Sequence, residues 1–360
     1  MKVIPRQNSA GIALIMVMCA IVVLTLMAAA FAYSMKIEVR LAANANSEQQ
    51  MYWLGRSGAE LARYVLAQQT AIPGEPYDSL NQIWAGGSGG PGETNSVLSG
   101  VSLTDYPVGD GTVSIKITDL ERKVNINAAT DQNNLIKQAL TLMGVDADSL
   151  SVVSDSILDW KDPPKGPRTA GAEDDYYQAL AIPYHVKNAP IDNLSELLLV
   201  RGVTPEMYWG SNATNHTPSV FQHKLGLGNA PGEPPDYPFG LVAIFTPISS
   251  GLINVNTADA NVLQMIPGVD AAAADNIIKL RNGPDGVEGT EDDIPFRDPN
   301  AALQGAGVNN PQAAQLCTVH SYTFEVHITA KIGGLPPRDY TAIIFRRNAN
   351  DISVLSFYWK

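Results

Sequence analysis

A chain of 360 residues holds one large domain or two ordinary ones, and a hydrophobic share of 45% is enough to build a buried core. The formal net charge of −12 argues against general affinity for phosphate backbones and makes cations, calcium in particular, the ionic partners that acidic clusters favour. Cys19 lies in an apolar run and Cys317 near the far end, two different environments, so no intramolecular disulfide is expected.

Residues Met1 to Ala10 carry Lys2 and Arg6 and no acid, and no charge occurs from Ile12 to Met35. The stretch Ile12–Tyr33 makes a helix of roughly 30 Å, the thickness of a bilayer core. Lys2 and Arg6 before it hold the N-terminal side in the cytoplasm. Without a Gly or Pro, the run passes into Ser34–Gln68, where Ile37, Leu41, Leu54, Leu61 and Val65 recur at helical spacings among charged residues. A conventional signal peptide cut near Ala28-Ala29-Ala30, or a plain single-span anchor, are the rival readings of this segment.

The stretch Ser9-Ala10-Gly11-Ile12-Ala13-Leu14-Ile15 resembles a type IV prepilin leader. The resemblance implies cleavage by a prepilin peptidase between Gly11 and Ile12, with methylation of the new N-terminus. Pilins usually carry a glutamate at the fifth mature position, where this chain has Met16. A carboxylate in a bilayer is costly unless paired, and a subunit at a filament tip has no neighbour above to pair it. Met16 therefore suggests a tip subunit, a loss shared by the K-type minor pseudopilins of type II secretion systems.

After the stem, the Gly/Pro/Ser-rich stretch Ile72–Gly100 reads as a loop region. Gly111–Thr118 then alternates, with Val113, Ile115 and Ile117 on one face of a half-buried strand. Three more strands are expected at the far end: Tyr322–Ile332, Asp339–Arg347 with Tyr340, Ala342, Ile344 and Arg346 on one face, and Ile352–Trp359. The fold class expected is α+β: a long N-terminal transmembrane helix, a pilin-like antiparallel sheet built from both ends of the chain and packed on the stem, and a large inserted helical domain with helix–hairpin–helix-like units. The divisions are 1–11 for the leader, 12–68 for the stem, 69–123 and 317–360 for the pilin-like domain, and 124–316 for the insertion. An insertion of this kind resembles those of the K-type pseudopilins.

Within the insertion, Val124-Asn125-Ile126-Asn127-Ala128 resembles Ile253-Asn254-Val255-Asn256-Thr257, a weak internal repeat. After the second copy, a helix from Ala258 to Ile266 is expected to start at a Thr257 cap. Pro267-Gly268-Val269 then breaks it, and Asp270 caps Ala271–Arg281. Asn193–Val200, a turn, and a second helix opened by Thr204-Pro205 form a related unit. Such pairs resemble helix–hairpin–helix motifs, whose DNA-binding versions need basic residues beside the hairpin. Lys279 and Arg281 do not offset the acidity around Asp270 and Asp275, so a packing or protein-contact role is expected and no nucleic-acid partner. The string Leu194–Thr204 closely resembles K-type pseudopilins.

Two acidic clusters are calcium candidates: Asp159, Asp162, Glu173, Asp174 and Asp175, and the loop with Asp285, Glu288, Asp292 and Asp293. Calcium takes six to eight oxygens, and neighbouring carboxylates repel unless an ion neutralises them. The second loop lacks EF-hand spacing and resembles the calcium loop of the major pseudopilins; a solvated acidic loop is the alternative for both. The resemblance to K-type pseudopilins implies calcium in this domain. No phosphate-binding loop, zinc-site spacing or nucleophile elbow occurs, and no enzyme is expected. The family resemblance further implies I-type and J-type minor pseudopilins as partners, the major pseudopilin below the tip, prepilin peptidase, and an inner-membrane position with the C-terminal domains in the periplasm. The alternatives are a membrane-anchored helix–hairpin–helix DNA-uptake protein and a conventionally secreted calcium binder.

Overall fold

The computed structural model describes residues 10–90, 92–93, 96–211 and 236–359. In chain order the helices are α1 (Ala10–Gln69), α2 (Leu135–Leu142), α3 (Ala147–Lys161), α4 (Asp174–Gln178), α5 (Pro205–Trp209), α6 (Leu241–Ile244), α7 (Ala260–Leu263), α8 (Ala271–Arg281), α9 (Pro299–Gly305) and α10 (Pro311–Gln315). The strands are β1 (Tyr106–Val108), β2 (Gly111–Asp119), β3 (Val124–Asn125), β4 (Phe245–Thr246), β5 (Ile253–Asn254), β6 (Cys317–Thr318), β7 (Thr323–Ile332), β8 (Arg338–Asn348) and β9 (Asp351–Trp359).

Helix α1 runs 60 residues without a break, about 90 Å at the α-helical rise. Its first half is apolar, with a window of mean hydropathy 2.8, and its side chains from Ala13 to Leu41 are all exposed. Among the described residues it is one helix long and apolar enough to cross a membrane. From Met51 onward the helix changes character. Met51, Leu54, Ala59, Ala62, Val65 and Leu66, with the buried Gly55 and Gly58 between them, form a buried stripe along one face, toward a sheet.

That sheet is antiparallel throughout, in the order β1-β2-β7-β8-β9, so its strands come from both ends of the chain. The register aligns Ile115 with Ile328 and Ile328 with Tyr340 across three strands. Alternation places Val113, Ile115, Ile117, Phe324, Val326, Ile328, Ala342 and Ile344 in the core with the stem. Among the described residues, the stretch read as loop contains no sheet strand or α-helix, yet it contributes to the core: a 3-10 turn, Ile83–Ala85, seats the buried Trp84 edge-on to Phe324 at 5.3 Å.

A second core, from Val124 to Val319 with Tyr77 added, belongs to the inserted helices. The sequence repeat is a structural repeat. Asn125 Oδ1 accepts from Asn127 N and Asn254 Oδ1 from Asn256 N, both at 2.9 Å. Asn127 then exchanges two hydrogen bonds with the backbone of Ile191, and Asn256 does the same with Phe296. Each copy also opens a short parallel pair, β3 with β4 and β5 with β6.

Several helix starts fall where capping chemistry puts them. Thr204 and Asp270 cap α5 and α8 through Met207 N and Ala273 N. Two expectations are corrected. The helix after the second repeat begins at Ala260 rather than Ala258, because the Thr257 hydroxyl is already donated to Asp119 Oδ2 at 2.8 Å. The Leu194–Leu199 segment is a 3-10 helix, closed by a reciprocal capping box between Asn193 and Glu196.

Candidate functional site: an acidic cluster with an internal guanidinium

Helix α3 carries the first part of the cluster. Asp146 caps it by accepting from Ser149 N, and Pro163-Pro164 ends it, leaving Asp159 in the last turn and Asp162 at the extended C-cap. Glu173 stands at the start of α4. Asp159, Asp162 and Glu173 each offer an oxygen within 4.8 Å of the others. Asp159 is fully buried, and the buried Glu173 Oε1 has no hydrogen-bond partner. Burial pushes the carboxyls of Asp159 and Glu173 above the usual carboxylate range, and their mutual proximity adds to the effect on Glu173. At Gly171 any Cβ would strike the Asp159 carboxylate, so the loop closes over the cluster only with glycine there.

Arg168 lies across this cluster. Its Nη1 donates to Asp159 Oδ1 at 2.6 Å and stands 3.0 Å from Asp162 Oδ2. Its Nε and Nη2 form a two-point pair with Asp131 at 3.0 and 2.8 Å. The hydrogen bonds to Asp131 lead the effects that raise the Arg168 guanidinium, and the same contact lowers the Asp131 carboxyl. Beside it, Lys161 donates to the carbonyls of Ile126, Asn127 and Ala129, and burial pulls its ammonium down to about 8. Sequence reading missed Arg168 and Asp131; the available signal was a basic residue placed between two acidic runs.

The other predicted residues lie elsewhere. Asp174 turns away to Val186 N and the His185 ring, both at 3.1 Å, and Asp175 is exposed in the first turn of α4. In the second loop Asp292 accepts from Asp285 N and the Thr290 hydroxyl, the latter leading the effects that hold its carboxyl low. Asp293 accepts from Gly289 N at 2.9 Å, and burial raises its carboxyl. Glu288 is paired with Arg281 at 2.6 Å. This loop is thus tied largely by its own donors. Gly11 and Ile12 fall in the first turn of α1, their side chains outside the described residues, as are residues 1–9.

Residues 117–210, which contain the whole Asp159–Asp162–Glu173 cluster, match the family model described as type II secretion system, protein K. In sequence the chain is similar to the type II secretion system K proteins. It is 26% identical over 176 residues to protein K of Pectobacterium carotovorum subsp. carotovorum, covering 45% of this chain and 48% of that protein. It is also 26% identical over 220 residues to protein K of Aeromonas hydrophila, covering 56% and 61%. The matched region thus spans about half the length of these curated K proteins. The fold is that of a chain in the crystal structure of the GspK-GspI-GspJ complex from enterotoxigenic Escherichia coli, with a TM-score of 0.60 at 18% identity over 89% of this chain and 99% of that one.

Residues 249–289 match the model of a helix–hairpin–helix motif, as the Pro267-Gly268-Val269 hairpin between α7 and α8 requires. Arg281 is buried, donating to the carbonyls of Val255 and Ala258 and to Glu288. A cation consumed in this way is withdrawn from nucleic acid.

Proposed function

We propose that this chain is a minor pseudopilin of a type II secretion system and a structural subunit rather than an enzyme. It stands with I-type and J-type minor pseudopilins in the complex at the pseudopilus tip, above the major pseudopilin, initiating or capping the filament and supporting protein export across the outer membrane. Prepilin peptidase releases Ile12 as the mature N-terminus, the apolar half of α1 anchors the subunit in the inner membrane, and the two cores stand in the periplasm.

The observation that carries this reading is the continuity of α1: one rod whose apolar half is bare and whose other half is sealed into an antiparallel sheet. A bare apolar rod needs lipid or neighbouring rods around it, and both are what a membrane-seated filament subunit meets. The large inserted domain beside the sheet adds bulk that hinders growth above it. In cells that assemble pseudopili, overproducing the chain should shorten them and deleting its gene should lengthen or abolish them. Electron microscopy showing the same lengths in both would overturn the tip role, and a mature chain beginning elsewhere than Ile12 would overturn the processing.

Calcium is the ion proposed for Asp159, Asp162 and Glu173. Hard carboxylate oxygens that converge, one of them buried and unpartnered, fit a divalent cation of this kind. When bound, it would supply the charge that holds these carboxylates together and so fix the loop from Asp162 to Glu173.

A further inference from the structure

We propose that Arg168 is an internal cation that holds the acidic cluster together without metal and must leave it for calcium to bind, moving wholly onto Asp131. The proposal rests on the calcium reading of the same cluster.

The guanidinium has two sets of acceptors of different character. Nη1 alone reaches the cluster, at Asp159 and Asp162, while Nε and Nη2 face Asp131 in the planar two-point geometry that arginine forms best. A rotation that withdraws Nη1 can therefore keep the whole Asp131 pair. The side chain of Asp159 is 1% exposed and that of Asp131 is 63% exposed, so the two seats differ in solvation. The outer seat costs little to occupy and the inner one holds charge in a buried place.

Charge explains why the inner seat is filled. Three carboxylates against a single guanidinium leave the cluster net negative, and without Arg168 the Asp159 carboxylate would be buried with no cation beside it. The backbone keeps the cluster formed in either state, since Arg168 N also donates to Asp159 Oδ2 at 3.1 Å and Ala170 N to Asp155 Oδ2 at 3.2 Å. Arg168 thus sets how much calcium is needed: the ion must displace a tethered competitor already in place. Asp131, in the segment leading into α2, is then the residue through which metal occupancy is felt outside the cluster.

The test uses the full chain in detergent, titrated with calcium chloride after chelation, read by calorimetry and by melting temperature. Arg168→Gln should melt lower than the native chain in chelator, bind calcium several-fold more tightly, and show the larger calcium-induced rise. Asp131→Asn, at an exposed position, should act in the opposite sense and weaken calcium binding, because the guanidinium loses its outer seat. Equal or weaker calcium binding by Arg168→Gln, or unchanged binding by Asp131→Asn, overturns the role of Arg168 while leaving a responding native cluster as a calcium site. Binding by Arg168→Gln alone supports the proposal in its strongest form. No calcium response by the native chain or by Arg168→Gln removes the calcium reading and this inference with it.

Discussion

The two contacts that the sheet makes are built on opposite principles. Toward α1 it is apolar: Val65, Leu66 and Ala62 meet Val326, Ile328 and Ala330, and two glycines let the helix lie close. At the end of the sheet where the last turns of the stem meet the inserted domain it is a buried polar network. Arg346 donates from Nη1 to Leu66 O at the top of the stem, and from Nη2 to Asp78 Oδ1 at 2.5 Å and Ser321 O at 2.8 Å. Ser321 donates to Asp119, which also accepts from Thr257 of the second repeat. Glu121 accepts from Ser250, Tyr322 and Thr323 backbone N–H groups. Apolar packing tolerates small shifts at modest cost, whereas each member of a buried polar network that is left unsatisfied costs its full desolvation. The lesson is that the stem joint is set by shape and the insertion joint by partners.

The sharpest way to break that contrast is at Arg346. Its side chain is 3% exposed, and Arg346→Met would leave Asp78 buried without its cation and two carbonyls without donors. A loss of about 3–5 kcal/mol of stability is expected. The double variant Arg346→Met/Asp78→Asn should recover part of it in denaturant unfolding, and additive losses would show that the pair is not coupled. At the stem joint the expected effect is smaller. A Cβ on Gly55 would stand 2.5 Å from the Tyr340 ring, which is itself stacked on Phe357. Gly55→Ala should destabilise by about 1–3 kcal/mol through overpacking, less the helix-propensity gain of up to about 1 kcal/mol. A stabilised Gly55→Ala variant would mean that helix and sheet are not in tight contact there.

The same contrast explains which parts of the molecule were legible in the sequence. The stem, the alternation of Val113, Ile115 and Ile117, the terminal hairpins and the Asp270 cap are local patterns, and each was readable from neighbouring residues. Both repeats were visible because Asn-x-Asn makes the same turn twice. The polar joint was not visible, because its members stand far apart in the chain and follow no period. Arg346 reads as one more inward position of a strand, and nothing near it announces Leu66 or Asp78. Thr257 looked like a helix cap and is instead a donor to Asp119. At the candidate site, the carboxylates were legible as a composition signal, but which of them converge was not. Asp174 and Asp175 sit next to Glu173 in sequence, yet α4 begins there and turns Asp174 toward His185.

The smallest effect is expected at Asp119, and it is the one that depends most on pH. The carboxylate is completely buried; its Oδ2 accepts two hydroxyls while its Oδ1 has no partner. Burial raises its pKa, Arg122 and the two hydroxyls oppose the shift, and Asp78 adds to it. A carboxyl raised in the folded state favours folding while it is protonated. That contribution is present below the unfolded value of about 3.9 and is lost as pH rises through the higher folded value. Asp119→Asn keeps an oxygen for Thr257 and Ser321 and removes the titration. Relative to the native chain it should gain stability as pH rises from acid toward neutral, by about 1 kcal/mol or less given the opposing Arg122 and hydroxyls. Glu121 and Glu93 are also raised by burial, so the pH slope should become shallower and not vanish. Melting temperatures of both chains across that range decide the matter: parallel curves would place Asp119 among ordinary ionised carboxylates and make the insertion joint no more sensitive to charge than the stem joint.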